Sequence, residues 1–124
     1  MTVHQRQAKI ARALAHPMRL RILEVLRAGE ECVCHLKTVL GLPQPYVSQQ
    51  LAVLRQAGLV TARKDGLNIY YRLSSEAVVP LLDALGNLVR QQASQRGEKL
   101  LWPAPADRER LAACVCPKCR AQRI

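Results

Sequence analysis

Apolar positions recur along the chain first at helical spacing and then in strict alternation. Over residues 3–15, Ile10 and Leu14 stand four apart among Arg6, Lys9 and Arg12, which is the pattern of a short amphipathic helix. His16-Pro17 interrupts it, because the residue before a proline is pushed out of the helical region while proline itself suits a first helical position. A second helix is therefore expected over residues 17–27, with Leu20, Leu23 and Leu26 facing inward and Gly29 as its cap. A third is expected over residues 32–40, preceded by Glu30 and Glu31 and stopped by Gly41. After the tight Gly41-Leu42-Pro43 connection, a fourth over residues 44–57 carries Val47, Leu51 and Leu54 as one buried stripe, and Gly58 closes it.

The period then falls to two. Residues 59–64 and 67–73 are β-prone and flank Asp65-Gly66, a strong hairpin signal. In the second strand Ile69, Tyr71 and Leu73 share one face and Asn68, Tyr70 and Arg72 the other. A long helix follows over residues 75–94, capped by Ser74 or Ser75, with one stripe of Leu81, Leu85 and Leu88 and a second of Val78, Leu82 and Val89. That is more apolar surface than one small domain covers, and the surplus reads as a subunit interface. Beyond Gly97, Trp102-Pro103-Ala104-Pro105-Ala106 reads as a stiff linker into a cysteine-rich end. The expected architecture is mainly α with a β-hairpin wing: a winged helix-turn-helix over residues 1–96, dimeric through its terminal helices, then a linker and tail over residues 97–124.

Charge narrows the partner. In 124 residues, 19 Lys and Arg stand against 9 Asp and Glu, a net charge of +10 that calls for a polyanion. No apolar run approaches the ~18 residues of a spanning helix, and the basic N-terminal segment has no signal-peptide core, so a cytoplasmic protein is expected rather than a membrane one. Its five cysteines are then expected as thiols. Aromatic residues are 3% of the chain, too few for a single-strand stacking platform, which leaves duplex DNA.

The order helix, tight turn, helix, basic hairpin places the fourth helix in a major groove. Its N-terminal half offers Gln44, Tyr46, Ser48, Gln49 and Gln50 to base edges, where a glutamine amide grips adenine with two hydrogen bonds. Arg63 and Lys64 at the hairpin suit backbone phosphates. Charge alone does not single out the hairpin, since residues 96–124 also carry 7 basic and 3 acidic side chains.

Three segments together resemble the ArsR/SmtB family of bacterial repressors: Ala13-Leu14-Ala15-His16-Pro17-Met18-Arg19-Leu20-Arg21-Ile22-Leu23, Glu31-Cys32-Val33-Cys34-His35-Leu36, and Gly41 through Leu51 followed by Leu54 and Gly58-Leu59-Val60. The resemblance covers residues 5–95. It implies a homodimer on a two-fold, double-stranded operator, released by an inducer, and it marks Cys32 and Cys34 as part of a metal box. Arsenic-sensing members carry a further cysteine three residues after the second, where this chain has Lys37. The family's other common site uses His and acidic residues on the last long helix; with Asp83 but no His there, that site is expected to be absent.

Cys114, Cys116 and Cys119 offer the missing thiolates, and residues 97–113 span at most about 55 Å, enough to reach Cys32 on either protomer. Two arrangements stay open. The tail alone forms a three-thiolate site suited to As(III) or Sb(III), or it joins Cys32 and Cys34 in a site for Cd(II), Pb(II) or Zn(II), thiolates selecting soft ions. Since residues two apart do not share a helix face, joint ligation by Cys32 and Cys34 is expected to distort the start of the third helix. The alternative function is a repressor that senses oxidant or persulfide through the same thiols. An enzyme is not expected, because the Cys116–Cys119 motif follows a proline-rich linker rather than the strand of a βαβ unit.

Overall fold

The computed structural model describes residues 1–101. Among the described residues, five helices and three short strands follow one another as α1 (Val3–Leu14), α2 (Pro17–Arg27), β1 (Glu31–Cys32), α3 (Val33–Leu40), α4 (Gln44–Gln56), β2 (Val60–Asp65), β3 (Asn68–Leu73) and α5 (Val78–Arg96). The helix ends follow local chemistry. Thr2 and Gln5 form a reciprocal capping box on α1, each side chain accepting from the other's backbone N–H. Pro17 begins α2 behind the extended cap His16, whose Nδ1 accepts from the Met18 N–H at 3.1 Å. Gly41 ends α3 at φ 66°, a left-handed conformation that a Cβ disfavours, and this turns the chain toward α4.

The centre of the domain is apolar and closely packed. Leu23 of α2, Leu36 of α3, and Val47, Leu51 and Leu54 of α4 are wholly excluded from solvent, and Val78 and Leu82 of α5 complete the cluster. The stripe read from α4 is thus the face it buries. The hairpin β2–β3 packs beside these helices with Val60 opposite Leu73 at its base and Asp65 opposite Asn68 at its tip.

Three boundaries depart from the sequence reading. The two-residue loop is Gly66-Leu67, not Asp65-Gly66. Gly66 has φ 60° and, among the described residues, no non-glycine residue has positive φ, so glycine takes the first central place, as in a type II′ turn. Helix α5 begins at Val78, later than expected; Ser75 Oγ caps the preceding turn by accepting from the Ala77 N–H at 3.1 Å. Finally, β1 was not anticipated, and it adds a third strand antiparallel to β3 in the order β1-β3-β2.

The surplus apolar face on α5 is present. Leu85, Leu88 and Val89 are exposed, and with α2 the helix borders an open groove of about 700 Å³ that Leu20, Val25, Leu100 and Leu101 also line. Arg27 of α2 reaches across to Asp83 of α5 at 2.6 Å, and this hydrogen bond raises the Arg27 pKa. Among the described residues, no helix is long and apolar enough to cross a membrane.

Candidate functional site

Helices α3 and α4, joined by Gly41-Leu42-Pro43, form the helix-turn-helix. Pro43 is the N-cap of α4 and supplies no capping side chain, so the positive end of this helix stays open to an anion. Gln44 and Gln49 are exposed on it, while Tyr46, Ser48 and Gln50 are half-buried. The Oε1 of Gln50 is shielded from solvent and has no hydrogen-bond partner among the described residues. Tyr46 is tethered. Its Oη lies 3.4 Å from His16 Nε2, and because His16 Nδ1 already accepts from Met18, the neutral imidazole carries its proton on Nε2 and donates it to Tyr46.

In the wing, Lys64 is exposed and Leu67 at the tip is fully so. Leu67 was missed as a surface feature because the expected turn lay one residue too early. Arg63, the other expected phosphate ligand, is committed elsewhere. Its guanidinium forks onto both oxygens of Glu30, at 2.6 and 3.2 Å, and lies 4.8 Å from the centre of the Tyr70 ring. The Glu30 hydrogen bond raises the Arg63 pKa.

Cys32 and Cys34 come together. Cys32 is 2% exposed and ends β1 in an extended conformation as the N-cap of α3, its Sγ accepting from the His35 N–H at 3.3 Å. Cys34 lies in the first turn of α3, its Cα 5.4 Å from that of Cys32, and the two sulfurs are joined in a disulfide. The helix starts one residue later than read, and the extended cap swings the first sulfur onto the second. Around them, Tyr70 packs on Cys32, and His35 Nε2 lies 3.5 Å from Glu31 Oε2 one turn back. Among the described residues, no three His, Cys, Asp or Glu side chains cluster as metal ligands. Lys37, where a further thiol would complete such a set, is exposed. Cys114, Cys116 and Cys119 lie outside the described residues.

Residues 16–62 match the family described as bacterial regulatory protein, arsR family. The chain is 42% identical over 78 residues to a biofilm growth-associated repressor of Agrobacterium fabrum, covering 63% of this chain and 67% of that one. Among solved structures it is similar to Rv0081 of Mycobacterium tuberculosis, with TM-score 0.71, 35% identity, and coverage of 77% of this chain and 97% of that one. It is also similar to the homodimeric winged helix-turn-helix DNA-binding domain Mb0332 of Mycobacterium bovis, a possible ArsR-family transcriptional regulator, with TM-score 0.65, 36% identity and coverage of 73% and 82%.

Proposed function

Because the chain belongs to the ArsR family of bacterial regulatory proteins, we propose that it represses transcription as a homodimer on two-fold operator DNA, and that soft-ion uptake by its cysteine thiolates releases it. The coarse role is that of a DNA-binding repressor, as in its relatives, and not of an enzyme. The recognition helix α4 enters the major groove, where Gln44, Tyr46, Ser48, Gln49 and Gln50 address base edges and Lys64 and Arg63 address phosphates. A two-fold dimer sets two such helices about 34 Å apart, one turn of duplex.

The observation that carries the inducer reading is the convergence of Cys32 and Cys34 on one point at the start of α3. Once both are reduced, two thiolates there offer half of a four-sulfur site, or two of three ligands for As(III) or Sb(III). Cys114, Cys116 and Cys119 supply the remainder for Cd(II), Pb(II) or Zn(II), or bind a metalloid by themselves. The pair sits at the head of the helix that leads through Gly41 into α4, so its state bears on the reading head. Coupling of this kind is typically worth about 1–3 kcal/mol.

The disulfide favours a second reading, in which the same pair senses oxidant. Hydrogen peroxide takes two electrons and two protons from the dithiol, forming the sulfur–sulfur bond and two waters. A mobility-shift assay on the region upstream of the gene separates the readings. Reduced wild-type protein is expected to release DNA with As(III), Sb(III), Cd(II) or Pb(II), and Cys32→Ser and Cys34→Ser to bind DNA but stay bound. Release by peroxide alone, with a loss of two hydrogens by intact mass, selects the redox reading. Unchanged ion-induced release in both variants removes this pair from the role.

A further inference from the structure

The register of the sheet places the sensing cysteine and a wing arginine in one row. Cys32 of β1 stands opposite Tyr70 of β3, and Tyr70 stands opposite Arg63 of β2. The row is a chain of contacts. Cys32 and Tyr70 form a small buried cluster of their own, joined by Cys34, apart from the main core. The Arg63 guanidinium then lies over the same Tyr70 ring. Glu30, the residue before β1, closes the far side by holding both guanidinium nitrogens Nε and Nη2. Strand β1 is two residues long and meets β3 only through the pairs Glu31–Tyr71 and Cys32–Tyr70, so the cysteine pair and this clamp lie at its two ends.

We propose that Glu30 and Tyr70 are positioning residues that carry the state of the Cys32–Cys34 pair to the wing by taking Arg63 away from DNA. The proposal rests on the reading of that pair as the sensing site. With the pair closed, by a shared ion or a bond, β1 is pinned, and Glu30 and the Tyr70 ring occupy the guanidinium. A phosphate then has to compete with a bidentate carboxylate for the same donors. With the pair open, β1 loosens and Arg63 turns to the backbone of the operator. Release therefore includes the loss of one phosphate contact per subunit, in addition to any movement of α4.

The salt dependence of binding counts such contacts. Each neutralised phosphate contributes a slope of about −0.9 in log affinity against log salt, so the loss of two per dimer flattens the slope by about 2. The experiment uses the reduced full-length protein, a fluorescent duplex from upstream of the gene, and Cd(II) as the closing ion, with ion uptake read from thiolate charge-transfer absorption. In the wild type, Cd(II) is expected to flatten the slope by about 2. In Glu30→Gln, uptake is expected to be unchanged and the slope to stay as it was without ion. Tyr70→Phe, which keeps the ring, is expected to follow the wild type, and Tyr70→Leu to follow Glu30→Gln. An equal flattening in Glu30→Gln, or wild-type release at constant slope, overturns the route and leaves the sensing site standing. A wild type that takes up Cd(II) and stays bound, and that peroxide also fails to release, overturns the sensing reading and this inference with it.

Discussion

His16 caps α2 with one ring nitrogen and holds Tyr46 of α4 with the other, Nε2 to Oη at 3.4 Å. One imidazole thus fixes the start of a core helix and the first turn of the recognition helix. Substitution His16→Ala removes both partners. The lost cap alone is expected to cost about 1 kcal/mol, lowering the melting temperature by about 4–8 °C for a domain of this size. Tyr46→Phe keeps the cap and is expected to leave melting nearly unchanged while weakening operator binding. Thermal melts and anisotropy titrations of the two variants check this, and equal melting losses would assign the whole effect to packing.

Gln49 is exposed on α4 and has no packing duty. If it reads a base, Gln49→Ala is expected to cost about 1–3 kcal/mol against the preferred duplex and to relax choice at one base pair. Lys64→Ala, by contrast, is expected to weaken all duplexes alike and to reduce the salt slope by about 1 for each subunit bound. A panel of single-base operator variants, titrated with both proteins, distinguishes the roles.

Leu85, Leu88 and Val89 stand exposed on α5 although Val78 and Leu82 of the same helix are buried. Leu88→Glu sets a charge in the middle of that face. It is expected to shift the protein from dimer to monomer in sedimentation and to reduce operator affinity at least tenfold, with the helical content of the subunit retained. A dimer of wild-type strength in this variant would place the interface elsewhere.

Much of this architecture is written in local pattern. The stripe Val47, Leu51 and Leu54, the breaks at Pro17, Gly41 and Gly58, and the hairpin around Gly66 each declare themselves within a few residues, because helix and turn formation answer to nearby chemistry. Strand β1 does not. Glu31 and Cys32 have no period of their own and become a strand only by pairing with Tyr71 and Tyr70, nearly forty residues on. The same long-range pairing explains two site features that the sequence withheld. It puts Cys32 in an extended conformation, which lets its sulfur meet that of Cys34. It also brings Glu30 to Arg63, turning an expected phosphate ligand into one half of an internal clamp.

The width of the sheet has a thermodynamic meaning. Its outermost ribbon consists of Glu31 and Cys32 alone, whereas the helices behind it share a sealed interior. Regions with so few cross-links open and close at a small fraction of the free energy needed to melt the whole body. A change of state at the Cys32 sulfur is therefore expected to act on a shallow local equilibrium while the rest of the domain stays intact.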